Sequence, residues 1–193
     1  MTRSLLLAST SPHRRTLLAR LGIPFASVAP GCDEDSFHGR GLPPRQLAAS
    51  LAEAKARSVA AAHPEALVIG SDQVCALDLE VHGKPGGRDA AIVQLRRLRG
   101  RAHHLHTAVC VLDRGETHAF VDDSRLTMRA LTDDEIARYV DADRPFDCAG
   151  AYKLESLGIA LFATIDSGDH TAIVGLPMLR LCDVLRSCGV PLP

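Results

Sequence analysis

The chain has 193 residues, of which 46% are hydrophobic and 23% charged, with a formal net charge of -1. A chain of that size folds around a core that buries roughly 70% of the unfolded surface without disulfide or metal staples, as one compact unit or two tightly joined lobes. The charge balance excludes a polybasic nucleic-acid arm, and the longest apolar run near the start, Leu5 to Ala8, is too short for a signal-peptide core or a membrane span.

The elements follow in chain order. An apolar strand is expected over Ser4 to Ala8. A helix is expected over Pro12 to Leu21, capped by Ser11, opened by proline at its first position and stopped by Gly22. A strand over Phe25 to Ala29 and a long helix over Pro43 to Ala62 precede a buried strand over Ala66 to Gly70. The helix Asp89 to Leu98, closed by Gly100, leads into strands Ala108 to Leu112 and Val121 to Met128. Thr132 and Glu135 then form a capping box for a helix to Val140. A strand over Ile159 to Ile165 and a helix over Leu179 to Cys188, ended by Gly189, complete the chain. Alternating strands and helices imply an α/β or mixed α+β fold, a sheet covered by helices. No repeat or low-complexity linker interrupts the chain, so residues 1–193 are expected to form a single domain. The six cysteines have no pair at the two-residue separation of zinc knuckles or dithiol redox sites. They are expected to be reduced, mostly buried thiols in a cytoplasmic protein.

Five places could carry chemistry. Ser9, Thr10 and Ser11 lead from a strand end into the helix that carries His13, Arg14 and Arg15. That is either a plain N-cap or an anion site, where a helix start, hydroxyls and an arginine fork receive a phosphate. Asp72 follows the apolar run Ala66 to Ser71 and is expected at the carboxyl end of a buried strand. There it either begins a turn or can hold a divalent ion or take a proton from water. Lys55 falls four and eight residues after Leu51 and Leu47, on the apolar stripe of its helix, where it either snorkels outward or reaches into a cleft. Lys84, in Gly83-Lys84-Pro85, and Glu34, in the acidic loop Cys32 to Asp35, are turn and loop residues of the kind usually solvated. His104 and His106 share a strand face, yet no carboxylate or cysteine nearby in sequence completes a zinc pattern, so they read as surface strand residues.

Six ordered blocks run between Leu5 and Leu185: Leu7 to Arg15, Glu53-Ala54-Lys55-Ala56, Gly70 to Val74, Gly83-Lys84-Pro85, Cys148 to Tyr152 and Val174-Gly175-Leu176-Pro177. Together they resemble the Maf family of nucleoside triphosphate pyrophosphatases. The resemblance implies a single elongated α/β domain with a central mixed sheet, flanking helices and a nucleotide cleft, similar to inosine triphosphate pyrophosphatases. It implies that Ser9, Arg14, Lys55 and Lys84 bind the polyphosphate, that Glu34 lines the cleft, and that Asp72 is the proton acceptor. A divalent cation, Mg²⁺ or Mn²⁺, held by Asp72 and Glu34 is expected with that chemistry. Ser71 to Cys75 and Asp147 to Glu155 look like the branch of the family acting on 7-methyl-GTP, which assigns base specificity to His13, Gln73 and Glu155. Members acting on dTTP and UTP more often carry Ala-Asp-Thr at the first of these blocks and Asp-Lys-Ala-Gly at the second. This chain has His13 where the 7-methyl-GTP branch usually has tryptophan, and it contains no tryptophan. The expected partner is a nucleoside triphosphate, with no nucleic-acid polymer and no membrane, and the sequence leaves a homodimer open. The rival readings are a dTTP or UTP pyrophosphatase, and a regulator of cell division that binds nucleotide without turnover.

Overall fold

A computed structural model of the chain describes residues 3–192. The expectations that touch Met1, Thr2 and Pro193 lie outside the described residues. The fold is α/β, with a mixed seven-stranded sheet in the order β2-β1-β3-β5-β6-β7 and β4 paired to β3. Its elements are β1 (Leu5–Ala8), α1 (Pro12–Ala19), β2 (Ala26–Val28), α2 (Asp35–His38), α3 (Pro44–Ala60), β3 (Leu67–Leu77), β4 (Glu80–His82), α4 (Arg88–Leu98), β5 (Ala102–Asp113), β6 (Glu116–Met128), α5 (Asp133–Asp143), β7 (Phe162–Asp166), α6 (His170–Val174) and α7 (Met178–Ser187). Strand β1 runs parallel to both β2 and β3, whereas β3/β4 and β6/β7 are antiparallel. Among the described residues no helix is long and apolar enough to cross a membrane.

The chain divides into two compact units, and β3, β5 and β6 each contribute to both. Among the described residues unit 1 comprises 3–72, 107–122 and 169–192. All four residues of β1 are buried, so both faces of the sheet are covered here, as expected of parallel strands. Leu5, Leu7, Leu67 and Ile69 join Leu17 and Leu18 of α1 and Leu181 and Leu185 of α7 in one apolar cluster. On the opposite face α3 comes close enough that a Cβ on Gly70 would stand 2.2 Å from the Ala52 carbonyl oxygen and 2.7 Å from the Ala56 nitrogen.

Unit 2 comprises residues 73–106 and 123–168. Helix α5 begins with the expected capping box, Glu135 N donating to Thr132 Oγ1 (3.2 Å) and Thr132 N donating to Glu135 Oε2 (2.7 Å). Its far end is closed by Lys153, whose Nζ donates to the carbonyls of Asp143 (3.1 Å) and Arg144 (3.3 Å). Beneath the turn Ala149–Ala151 lie three buried polar groups, since His103 Nε2 and Tyr152 Oη are 3.0 Å apart and Tyr152 also bonds Cys75. Gly150 adopts φ +77°, and a Cβ there would meet Cys75 Sγ at 2.8 Å, so only glycine lets this turn sit on the thiol.

Burial lowers the His103 imidazole from 6.5 to about 4. Arg101 backbone bonding opposes that shift, and His82 and His104 add to it. Above pH 6.5 neither folded nor unfolded chain protonates this histidine. Between 6.5 and 4 the unfolded chain takes the proton and the folded chain does not, so stability falls as pH falls, by up to about 3 kcal/mol at pH 4. Urea melts across this window should give a shallower pH dependence for His103→Phe than for wild type, and parallel curves would count against the burial argument.

Several boundaries differ from the sequence expectation, among them the starts of β5, at Ala102 rather than Ala108, and of β6, at Glu116 rather than Val121. Strand β3 does not stop at Gly70 but continues to Leu77, past the end of β1, since its sheet neighbours also include β5 and β4, and the polar Ser71-Asp72-Gln73 stretch lies within the strand. The last strand begins at Phe162 rather than Ile159. Gly158 N bonds the Lys153 carbonyl at 3.0 Å, and the tight turn this makes consumes Leu157–Leu161. The short helices α2 and α6 carry too little periodicity to be read from sequence. The thiols are all free, but only Cys75 and Cys110 are fully buried, the other four being half-buried.

Candidate active site

The end of β1 is shaped by hydroxyls. Ser9 N turns back onto the Leu7 carbonyl (2.9 Å), and buried Ser9 Oγ accepts from Ser11 N (3.1 Å). Ser11 has the extended conformation of an N-cap and its hydroxyl accepts from Arg14 N (3.4 Å), with Pro12 at the first helical position. The capping reading of this segment is therefore realised. Among what the segment still has to offer an anion are the Ser9 hydroxyl proton and the Arg14 guanidinium.

Arg14 is half-buried, and its Nε donates to the Gly175 carbonyl (2.9 Å). Desolvation lowers its pKa, while the carboxylates of Asp72 and Glu34 pull it back up. An arginine remains cationic under either influence. The chain thus holds a positive charge in a poorly solvated place, beside two negative groups.

Asp72 owes its direction to strand alternation. Val68, Gly70 and Asp72 share one face of β3, and Gly70 is where α3 nearly touches the sheet. Asp72 therefore points to α3, two residues past the last parallel pair Ala8–Gly70. Lys55 lies one turn along α3 from Ala52 and is 6% exposed. Its Nζ stands 2.6 Å from Asp72 Oδ1 and 3.1 Å from Glu34 Oε1. The apolar-stripe position of Lys55 thus resolves into a buried ammonium reaching a carboxylate. Glu34 reaches it from the acidic loop, which Asp33 bends by accepting Ser36 N at 3.3 Å.

Ser71 points to the other face, where its hydroxyl donates to the same Gly175 carbonyl (3.2 Å) that holds Arg14. Gly175 has φ +125°, a conformation that disfavours side chains. The Val174-Gly175-Leu176-Pro177 block, to which the sequence assigns no site role, presents this carbonyl to both side chains.

Of the other expected site residues, His13 precedes Arg14 on α1 in unit 1 and is half-buried. Gln73, Lys84 and Glu155 belong to unit 2: Gln73 half-buried on β3, Lys84 exposed in the turn after β4, Glu155 exposed after the Lys153 cap. His104 and His106 do share a face, their rings stacked at 5.9 Å, and His106 Nδ1 pairs with Asp123 at 2.6 Å.

A strand-to-helix turn with a buried lysine, two converging carboxylates and a fixed arginine is suited to holding a polyanion while orienting water. Comparison with known proteins points the same way. Over 190 residues the chain is 47% identical to a protein of Albidiferax ferrireducens named 7-methyl-GTP pyrophosphatase, covering 97% of this chain and 94% of that one. Proteins with the same name from a Polaromonas species and Aromatoleum aromaticum are each 49% identical, covering 99% and 98% of this chain and 87% and 97% of theirs. The profile described as Maf-like protein matches residues 4–188, nearly the whole chain, and the chain belongs to that family.

Proposed function

We propose that this chain is a nucleoside triphosphate pyrophosphatase that cleaves 7-methyl-GTP into 7-methyl-GMP and pyrophosphate. The observation that carries the reading is the buried Lys55 ammonium between Asp72 and Glu34, on the face of β3 beyond the end of β1. The names of relatives 47 and 49% identical over nearly the whole chain support the substrate.

In this reading Ser9, Arg14, Lys55 and Lys84 receive the triphosphate, because phosphoryl-transfer sites work chiefly by positioning and charge neutralisation. Lys55 holds Asp72 Oδ1, which leaves Oδ2 to orient a water against the α-phosphorus. The water oxygen bonds to that phosphorus, the bond from the α-phosphorus to the bridging oxygen breaks, pyrophosphate leaves with the bond's electron pair, and Asp72 takes the water proton. His13, Gln73 and Glu155 select the base. N7-methylation makes guanine cationic, which favours a carboxylate at the ring edge and a stacking ring.

Asp72 and Glu34 would hold a divalent cation. Both carboxylates already converge on one positive group, Lys55 Nζ, and hard oxygen donors suit Mg²⁺ or Mn²⁺, which is commonly bound by one or two carboxylates plus phosphate oxygens. Such an ion supplies positive charge at the phosphate oxygens when bound. The reading places the enzyme in the cytoplasm with a free nucleotide as its substrate, and leaves a homodimer to sedimentation measurements.

Pyrophosphate release from 7-methyl-GTP, GTP, dTTP and UTP, with Mg²⁺, with Mn²⁺ and with chelator, tests the proposal. Metal-dependent release fastest with 7-methyl-GTP is expected. Faster release from dTTP or UTP would overturn the base assignment and implicate His13, whereas tight binding without release would sink the enzymatic reading in favour of a regulator.

A further inference from the structure

Buried Asp169, 6% exposed, ties together two helix starts in unit 1. Its Oδ1 accepts from Thr171 N (2.8 Å) and from Thr171 Oγ1 (2.5 Å), capping α6, while its Oδ2 accepts from Leu179 N (2.8 Å) in the first turn of α7. Thr171 Oγ1 accepts in turn from Met178 N (2.8 Å). The Thr171 carbonyl receives the amides of Gly175 and Leu176, each at 3.1 Å. The Ala172 carbonyl receives Gly175 N (3.0 Å) and the Thr107 hydroxyl (2.9 Å). The peptide that carries the Gly175 carbonyl is therefore fixed through its Leu176 amide on the Thr171 carbonyl, and the preceding peptide through Gly175 N on Thr171 and Ala172. From its carbonyl side it holds Arg14 Nε and Ser71 Oγ.

We infer that Asp169 and Thr171 are positioning residues that set the plane of the Arg14 guanidinium through the Gly175 carbonyl. This rests on the reading of Arg14 as a polyphosphate ligand. A guanidinium anchored along its Nε edge presents its terminal nitrogens in one orientation, and a planar fork binds phosphate oxygens in pairs only when that plane is right. A lysine at position 14 keeps the charge but has no Nε edge for the carbonyl to hold. Thr171 matters to the ligand only while Arg14 is present. A purely structural strap would matter equally with either cation.

The experiment measures the Kd of inorganic triphosphate by calorimetry for wild type, Thr171→Val, Thr171→Ser, Arg14→Lys and the Thr171→Val/Arg14→Lys double variant, below the melting point of each. Thr171→Val is nearly isosteric but removes the hydroxyl that bonds Asp169 and Met178. It should weaken binding about tenfold, and Thr171→Ser should restore it to within about twofold. In the Arg14→Lys background Thr171→Val should add no further loss, the signature of two groups acting as one. Equal losses in both backgrounds, or a lowered melting point with unchanged Kd, would overturn the inference, as would a wild type that does not bind triphosphate. A protein that shows the coupling yet hydrolyses no nucleotide would leave the inference standing and remove the pyrophosphatase reading.

Discussion

Replacing Asp72 with Asn should lower turnover of 7-methyl-GTP by about 10²- to 10⁴-fold, the range a positioned general base contributes, and should change the nucleotide Kd far less. That loss corresponds to about 3–5 kcal/mol of transition-state stabilisation. The two halves of the prediction have separate causes. An amide cannot take the proton from the attacking water, so the chemical step suffers. Removing the Asp72 charge takes away a repulsion toward the triphosphate anion and loosens Lys55 from its 2.6 Å ion pair, which offsets the loss of one carboxylate ligand to the divalent cation, so affinity moves much less than rate. Asparagine keeps the shape of the side chain and an oxygen that can face Lys55 Nζ, so α3 should stay on the sheet. A thermal melt of the variant checks that it does. Binding and single-turnover measurements on one preparation decide the matter. Unchanged turnover would remove Asp72 from the mechanism, and a large loss of affinity with normal turnover would make it a binding group.

What was legible in the sequence was the local part. Ser11-Pro12 and the Thr132/Glu135 box are set by bonds within four residues, and each stands where those residues put it. The period of α3 was sufficient to place Lys55 on the inward stripe, though not to say what it meets, because Asp72 arrives from a separate strand. The end of β3 was misplaced because Ser71-Asp72-Gln73 breaks an apolar run. Polarity there reflects chemistry inside a continuing strand rather than a turn. Least legible was Gly175. Its bond to Arg14 spans 161 positions, and nothing in a Val-Gly-Leu-Pro tetrapeptide announces that its carbonyl is the anchor. The roles of Lys84, Gln73 and Glu155 came from family resemblance alone, since a turn lysine and an exposed glutamate look like any solvated surface group.

The same geometry makes Gly70 a sensitive backbone position beside the site. An alanine there leaves the strand conformation intact, so the cost is one of space. Its methyl would lie 2.2 Å from the Ala52 carbonyl oxygen, 2.7 Å from the Ala56 nitrogen and 2.8 Å from the Ala56 Cβ. Two of those atoms are helix backbone and cannot rotate aside, so α3 must lift from the sheet. Overpacking of this kind costs about 1–3 kcal/mol, and the backbone contacts put Gly70→Ala at the upper end or beyond it. Because Lys55 rides on α3 between Ala52 and Ala56, the lift also lengthens the Lys55–Asp72 contact. Gly70→Ala should therefore lower the urea midpoint and, in the fraction that folds, weaken triphosphate binding. Trimming the opposing methyl in Gly70→Ala/Ala56→Gly relieves only the contact with Cβ, so it should recover part of the stability and not all. A Gly70→Ala protein as stable as wild type would mean that α3 can settle elsewhere on β3, and the positioning of Lys55 would then need another source.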